Sequence, residues 1–465
     1  MDGRDVLKRL PLAQAVLGVW GSCASDEVLD GVFDGARGRS YEGTLTFPEL
    51  VRLFSDAIVG HGGSGRQSIV RAIEQDQIGV SVQAAYGKLR RVPVAVSQML
   101  VGRVTQGMDD LFPARSATGL PASLGDFHGV VVDGKTIKDL DHRLKATRTV
   151  KGGLLAGRAL AGMRMDTGVV VAMRADQDAY AAETSMLPEL VEDILPRVPG
   201  PRLWIADRQF GYLTHIQTLM RDPDDAFILR YRVDVPFVAD PARATRRGRD
   251  AQGRCWREQW GVVRVEHPQP RACPVRLVTL QRPGQENVVV MTNLLDGRKH
   301  PAADILGAYL GRWGIERVFQ QITEVFGLEH LIGSSPCAAV FQFALCVLWY
   351  NTIQLVKAHV APGGDISPSE VSGENLFVDV HRQLVAVTEL LTPRSLARLI
   401  ARSASPAGLR QRLTRLLRPT WTTRWTRSPP KPPSKARPRT SGRRDHASAY
   451  RIIQRHKQRR RPKRR

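Results

Sequence analysis

Paired cysteines are missing from this sequence. Its five cysteines are widely separated, and no two of them form a Cys-x-x-Cys pair. The spacing therefore predicts neither a zinc ribbon nor a disulfide framework. We expect a reducing compartment, the cytoplasm. The five are Cys23, Cys255, Cys273, Cys337 and Cys346.

Long hydrophobic runs are also missing. No apolar stretch reaches the roughly 18–20 residues that a membrane-spanning helix requires. The most apolar segment, Ala338–Tyr350, is interrupted by Gln342 and is followed by Asn351 and Gln354. We interpret it as a buried helix. The first residues, Met-Asp-Gly-Arg-Asp, lack the charged-then-apolar layout of a signal peptide, so we expect no membrane partner.

Acidic residues are few. The chain has 45 Asp and Glu against 68 Lys and Arg, a net charge of +23. From Trp421 to Arg465 there are 17 basic residues and one acid, Asp445, which is a net +16 of that +23 and leaves +7 for the first 420 residues. Because a basic surface attracts phosphate backbones, the composition favours a nucleic-acid partner.

Residues 1–122 are predicted to be helical and to bind DNA ends. Thr46–Val59 has a capping residue, a proline in the first turn and apolar residues at helical spacing. The basic segment Ser81–Arg91 fits two interpretations: the recognition helix of a helix-turn-helix, or an ordinary solvated helix face.

From Phe127 the hydrophobic period changes to that of strands. Three strands, a helix at Thr184–Ile194 and further strands follow one another, an order expected of a ribonuclease-H-like α/β domain. We assign its first part to residues 123–231. The predicted strands are Val130–Asp133, Leu154–Met165, Gly168–Met173, Leu203–Asp207 and Ala226–Tyr231.

Residues 232–297 alternate in polarity and are rich in turn residues, so we predict a β-rich insertion there. The catalytic domain resumes over 298–360, and a helical C-terminal region covers 361–417. Residues 418–465 are rich in Pro, Arg, Lys, Ser and Thr, which predicts a disordered basic tail. The tail is either a polyphosphate-binding arm or an extension without a selected role.

Three carboxylates carry the functional signal. Asp133 and Asp207 each end a predicted strand, and Glu316 lies in a helical pattern. Mg²⁺ takes oxygen ligands, and two such ions about 3.5–4 Å apart can clamp the attacking and leaving oxygens of a phosphodiester. Taken alone, Asp133-Gly-Lys-Thr is a common turn.

The stretch around Glu316 is the most specific of the three. Tyr309, Arg312 and Glu316 are spaced so that they share one helix face. Bulky apolar residues, Trp313 and Phe319 among them, flank that face and are expected to pack on the sheet. A helix buried in the core would not carry Tyr309, Arg312 and Glu316 along one face. An ordinary surface helix would not carry bulky apolar residues on the sides of that face.

These motifs resemble those of bacterial DDE transposases. Asp133-Gly-Lys-Thr, then Ala206-Asp-Arg-x-Phe, then Tyr309, Arg312 and Glu316 at spacings of two and three intervening residues look like the insertion sequence four family and its Tyr–Arg–Glu–Lys signature. The resemblance covers about residues 125–355 and does not reach the tail.

The resemblance implies cut-and-paste transposition. Asp133, Asp207 and Glu316 would be catalytic and would hold two Mg²⁺, for which Mn²⁺ can substitute. The partners would be double-stranded DNA, as transposon ends and as target, and a second copy of the chain in a homodimeric synaptic complex. We assign DNA contacts to Lys135, Arg208, Tyr309 and Arg312. Trp256 or Trp260, if exposed, would hold a flipped base.

One position departs from the signature. The family Lys, seven residues after the Glu, is replaced by Thr323, and Gln320–Gly327 contains no basic residue. A catalytically impaired or co-opted transposase that binds DNA without cutting it is therefore the alternative function. A metal-dependent nuclease that cuts without joining is the third.

Overall fold

The structure is a computed structural model. It describes residues 3–40, 43–60, 64–113, 119–265, 271–326, 328, 330–391, 405–428 and 446–460. Of the predicted basic tail, residues 429–445 and 461–465 therefore lie outside the described residues.

The N-terminal part is helical. The start of its fourth helix shows why: the Thr46 amide donates to the Glu49 carboxylate at 2.7 Å, and the Glu49 amide donates to Thr46 Oγ1 at 3.3 Å. This reciprocal pair caps the helix as the sequence predicted. The helices are α1 (Gly3–Arg9), α2 (Pro11–Cys23), α3 (Asp26–Ala36), α4 (Phe47–Gly60), α5 (Gly65–Glu74), α6 (Val82–Leu89) and α7 (Val94–Asp109).

α6 occupies the segment considered as a recognition helix. It buries Ala85 and Leu89, and Ser81 caps it by accepting from the Ala84 amide at 3.2 Å. Its basic neighbours Arg90 and Arg91 are exposed. This geometry fits both interpretations of the segment, so its DNA-reading role stays a prediction.

A mixed sheet forms the centre of the molecule. Its strands are β1 (His128–Ile137), β2 (Gly153–Leu155), β3 (Gly157–Arg164), β4 (Val170–Asp176), β5 (Arg202–Ala206), β6 (Ala226–Arg230), β7 (Phe237–Ala239), β8 (Arg246–Arg249), β9 (Cys255–Val265), β10 (Arg271–Leu280) and β11 (Val288–Thr292), with β2 outside the sheet. The helices α8 (Leu187–Ile194) and α9 (Leu213–Leu219) connect β4 to β5 and β5 to β6.

The order of the strands is β4-β3-β1-β5-β6-β11-β10-β9-β7, and β8 pairs with β9. β1, β3 and β4 are antiparallel neighbours, whereas β1, β5 and β6 are parallel. The protein is thus a mixed α/β fold, as expected. β1 runs on to Ile137, so the expectation that this strand ends at Asp133 is wrong.

The strands predicted for residues 232–297 form, but they do not make a separate sheet. β11 pairs antiparallel with β6, and β10 and β9 follow it outward. Backbone hydrogen bonds therefore continue from the first strands into this segment. Its edge strand β7 has only three residues, which limits the exposed edge.

Three helices follow the sheet: α10 (Ala302–Gly311), α11 (Trp313–Glu324) and α12 (Pro336–Val360). α11 packs against β1, and α12 packs against α7, β3 and β4. α12 is long and apolar enough to cross a membrane, so the expectation that no apolar stretch reaches that length is wrong, but its apolar window is fully buried inside the protein. It is a core helix, as predicted for Ala338–Tyr350.

A buried amide fixes α12 to the sheet. Asn351 accepts from the Val170 amide at 3.0 Å and donates to the Val170 carbonyl at 2.8 Å. Its amide nitrogen also donates to Thr105 Oγ1 of α7 at 2.8 Å. Asn351 thereby gives the backbone groups of Val170 on the edge strand β4 hydrogen-bond partners, and it joins α12, β4 and α7 in the core.

The C-terminal region begins with α13 (Gly373–Leu390) and α14 (Pro406–Leu417). The helical C-terminal region predicted for 361–417 lies partly outside the described residues, at 392–404. Trp425, which follows α14, is 2% exposed, and its indole nitrogen donates to Asp379 at 2.7 Å. The described residues that follow α14 are thus packed against α13.

The prediction of a disordered tail from residue 418 is therefore wrong for its described parts. A strand, β12 (His446–Ser448), pairs parallel with β2, and a basic helix, α15 (Ala449–Arg460), follows it. Ser448 and Arg451 both donate to Asp178, at 2.8 and 2.6 Å. The backbone pairing with β2 and the ion pair with Asp178 order this segment. Amino-acid composition does not show either interaction.

Candidate active site

The two predicted aspartates come together through the pairing of β1 and β5. These strands are parallel, and Val132 lies opposite Ala206 at the end of the paired stretch. Asp133 and Asp207 are the next residues along each strand. Because strand pairing fixes the register, both carboxylates lie at the same end of the sheet.

Asp133 is largely buried. Its Oδ1 accepts from the Gly134 amide at 2.9 Å, and its Oδ2 accepts from Arg312 Nη1 at 3.0 Å. Burial raises the pKa of Asp133 to about 6, against the opposing effect of Arg312, and Glu316 and Asp207 raise it further. The three predicted carboxylates therefore lie within one electrostatic neighbourhood.

Arg312 connects two of these carboxylates. Its Nη1 bonds Asp133, and its Nη2 bonds Glu316 Oε1 at 2.8 Å. The guanidinium is almost completely buried, with 7% of the side chain exposed. Its Nε has no hydrogen-bond partner in the described part of the chain. A single cation thus neutralises carboxylates from a strand and from a helix.

The predicted continuous helix is divided at this arginine. α10 ends at Gly311 and α11 begins at Trp313, so Arg312 lies at the junction. Glu316 is in the first turns of α11, and its side chain is 54% exposed. Trp313, expected to pack on the sheet, is 49% exposed instead.

Tyr309 lies beneath Arg312 rather than on the surface. Its side chain is 2% exposed, and the Arg312 guanidinium carbon is 5.7 Å from its ring centroid. Burial raises the pKa of its hydroxyl. In this arrangement Tyr309 supports Arg312, and a direct contact with DNA would require it to leave the core. Its assigned DNA contact stays a prediction.

Two of the other predicted contact residues lie close to the aspartates in sequence. Lys135 follows Asp133 by two residues on β1 and is half-buried, and burial, with the neighbouring charge of Lys138, lowers its pKa. Arg208 is exposed directly after Asp207. Thr323, at the position of the family lysine, donates its hydroxyl to the Phe319 carbonyl of its own helix at 2.7 Å.

The structure brings in a fourth carboxylate that sequence reasoning missed. Glu183 lies between β4 and α8, and its side chain is 8% exposed and paired with Arg158 at 3.5 Å. Burial raises its pKa, as do Asp133 and Asp207, while Arg158 lowers it. The sequence signal was faint, since an acid just before a helix ordinarily serves the helix terminus.

Neither predicted tryptophan is exposed enough to serve as a base-flipping platform. Trp260 is 8% exposed, and its indole nitrogen donates to the Leu295 carbonyl at 2.8 Å. Trp256 is partly buried, with a buried indole nitrogen. The expectation of an exposed tryptophan here is wrong, because both rings pack on the sheet that β9 joins.

The donor set suits a hard divalent cation, because all of its ligands are carboxylate oxygens. The present positions do not yet form a metal shell. Among the described residues, no three His, Cys, Asp or Glu side chains converge as a metal site requires. Arg312 occupies the space between Asp133 and Glu316, so holding a metal with both requires Arg312 to release them.

Comparison with known proteins points to one family. Residues 126–352 match the family model described as the transposase DDE domain. The putative transposase y4zB of Sinorhizobium fredii (strain NBRC 101917 / NGR234) is 28% identical over 82 residues, 18% of this chain and 22% of that protein. The match therefore spans about a fifth of the relative's length. These two findings support a DDE transposase.

One solved structure is also similar. It is the cryo-EM structure of the piggyBac transposase synaptic complex with hairpin DNA, at 10% identity and a TM-score of 0.39. The alignment covers 91% of this chain and 77% of that chain.

Replacing Arg312 by Met should destabilise the protein in the presence of EDTA by about 2 kcal/mol or more. This is less than the roughly 3–5 kcal/mol of a broken fully buried pair, because Glu316 is half exposed. Chemical denaturation measures it. The matched control is Arg317→Met, at an exposed position of α11, with an expected change within about 0.5 kcal/mol.

Adding Asp133→Asn to Arg312→Met should recover part of that loss, because the partner charge is removed too. If the loss of unfolding free energy in the double variant equals the sum of the losses in Arg312→Met and Asp133→Asn, an energetic link between the two side chains is contradicted.

Proposed function

We propose that this chain is a transposase of the insertion sequence four type that cuts and joins DNA in a cut-and-paste reaction. The observation that carries the proposal is the bridge that Arg312 makes between Asp133 and Glu316, next to the β1–β5 register that brings Asp207 to the end of the sheet where Asp133 lies. The family-model match over residues 126–352 supports it independently of that geometry.

The topology supports a ribonuclease-H-like catalytic domain. In the order β4-β3-β1-β5-β6, three antiparallel strands precede two that run parallel to the first. The β-rich segment then extends the same sheet and returns the chain to α10 and α11. In this proposal it is an insertion that separates Asp207 from Glu316 in sequence without separating them in space.

Asp133, Asp207 and Glu316 would hold two Mg²⁺, or Mn²⁺ in their place, which when bound would stabilise the charge that develops on the attacking and leaving oxygens. In the first step a water oxygen attacks the phosphorus at the transposon end, and the bond to the 3′ oxygen breaks to leave a 3′-hydroxyl. In the second, that hydroxyl oxygen attacks a target phosphorus and loses its proton, while the target's own phosphorus–3′-oxygen bond breaks and the departing oxygen takes up a proton as a target 3′-hydroxyl. Positioning and electrostatics supply most of the acceleration in such transfers.

Arg312 has two roles in this proposal. Without DNA it neutralises Asp133 and Glu316, and with DNA it turns to a phosphate beside the scissile bond and frees both carboxylates. Arg208, which is exposed next to Asp207, and Lys135 would bind neighbouring phosphates. Tyr309 orients Arg312 from below through the face of its ring.

The partners follow from the reaction. Double-stranded DNA would be bound as transposon ends and as target, and two copies of the chain would hold two ends together in a synaptic complex. We propose that the reaction takes place in the cytoplasm.

One observation favours a second function. Thr323 uses its hydroxyl within its own helix, so the position of the family lysine offers DNA no cation. A co-opted transposase that binds DNA without cutting it is the resulting alternative.

Glu316→Gln should lower the cleavage rate of a DNA that carries the element's own ends by about 100-fold or more, because charge stabilisation in the transition state is lost. The assay contains Mg²⁺ or Mn²⁺ and follows cleavage and strand joining on gels. Glu324→Gln, at an exposed position of the same helix, is the matched control and should retain activity.

Wild-type protein that binds the DNA but does not cut it would contradict the enzyme proposal and favour the co-opted binding protein. Cleavage without joining would instead identify a metal-dependent nuclease.

Thr323→Lys should tighten binding to the cleaved end and raise its cleavage rate, since it adds a cation where the family signature has one. The slope of log affinity against log salt concentration should become steeper by about one, which is the effect of one additional phosphate contact. The control is Thr218→Lys on α9, because Thr218 makes the same hydrogen bond to a carbonyl four residues earlier, at 3.0 Å. Equal gains from both variants would show that Thr323 holds no special position.

A further inference from the structure

Glu183 approaches β1 at the glycine that follows Asp133. A Cβ atom added to Gly134 would lie 2.1 Å from the carboxyl carbon of Glu183 and 2.3 and 2.4 Å from its two oxygens. A side chain at residue 134 would have to displace the end of the Glu183 side chain. Gly134 therefore leaves the room that the Glu183 carboxylate occupies, a use that the sequence did not reveal.

Arg158 holds Glu183 in this position. It pairs with Glu183 Oε1 at 3.5 Å and donates to Thr136 Oγ1 of β1 at 2.9 Å. Thr136 and Arg158 are cross-strand partners in the pairing of β1 with β3. The Glu183–Arg158 pair thus contacts β1 on both sides of Lys135 and braces the segment that carries Asp133.

The location of this pair is unusual for a structural ion pair. It lies where β5 has ended and where Asp133 and Asp207 already concentrate negative charge, and both raise the pKa of Glu183. Because like charges repel, a carboxylate needed only for packing would be more stable farther from Asp133 and Asp207. The arrangement instead adds negative potential to a cluster that would hold divalent cations.

We infer that Glu183 is a positioning residue of the active site: it braces the Asp133 segment from the other face of β1 and adds a fourth negative charge to the field of the metal-holding carboxylates. The opposite face follows from the alternation of side chains along the strand, since Gly134 is the neighbour of Asp133. Glu183 acts through Asp133 and Asp207 and is not itself assigned a metal ligand. The inference rests on the proposed function.

The test measures the affinity for Mn²⁺ of the full-length protein bound to transposon-end DNA, in which the proposed mechanism frees Asp133 and Glu316 from Arg312, by electron paramagnetic resonance titration with the DNA alone as the blank. Glu183→Gln should weaken Mn²⁺ binding about 10-fold or more, as the loss of groups that orient metal ligands does. Glu183→Asp should keep part of the affinity. Gly134→Ala should weaken binding as well, because it displaces the Glu183 carboxylate without removing its charge.

The matched control is Glu189→Gln. Glu189 lies on α8, is 63% exposed and pairs with Arg174 at 2.7 Å, so its loss should leave Mn²⁺ affinity unchanged. If Glu183→Gln fails to fold because Arg158 loses its partner, the double variant Glu183→Gln, Arg158→Met removes both charges and should still show the weaker affinity.

The outcomes separate the inference from the proposed function. Wild-type binding that Asp133→Asn abolishes, together with unchanged affinity in Glu183→Gln, would overturn the inference alone. A lower melting temperature with unchanged affinity would assign Glu183 a purely structural role and overturn it too. Wild-type protein that binds no Mn²⁺ would overturn the proposed metal chemistry and this inference with it.

Discussion

The arrangement of the candidate site depends on the buried guanidinium of Arg312. Carboxylates taken out of water need a counter-charge, and without one they bind protons or push apart. Arg312 supplies that charge to Asp133 and Glu316 together. Three features place this one side chain. Arg312 lies at the break between α10 and α11, the buried ring of Tyr309 lies beside its guanidinium, and Glu316 pairs with it.

Strand register sets the rest of the site. The parallel pairing of β1 and β5 puts Asp207 beside Asp133, and the antiparallel pairing of β1 and β3 puts Arg158 opposite Thr136. Neither pairing can slip by one residue without turning these side chains to the other face of the sheet. The positions of these side chains are therefore fixed by the hydrophobic core of the sheet, in which Val130–Val132 are completely buried.

Much of this could be predicted from the sequence, and the limits have physical reasons. Hydrophobic periodicity predicted most of the strands, whereas the spacing of Tyr309, Arg312 and Glu316 predicted one shared helix face, which the division of the helix at Arg312 contradicts. Periodicity says nothing of partners, however, so it could not show that β11 pairs with β6, that β12 pairs with β2, or that Glu183 reaches Gly134. The tail was misjudged for the same reason: its composition predicted disorder, while pairing with β2 and the ion pair to Asp178 order part of it.

The central claim is that Arg312 holds the carboxylates in the absence of divalent cations and that DNA phosphates draw it away. The most direct test is Mn²⁺ affinity with and without transposon-end DNA, in wild type and in Arg312→Gln. The account predicts weak binding by the free wild type, tightened about 10-fold or more by DNA, which corresponds to about 1.4 kcal/mol. It also predicts that Arg312→Gln binds Mn²⁺ more tightly than wild type without DNA. Weaker Mn²⁺ binding by free Arg312→Gln than by free wild type would contradict it.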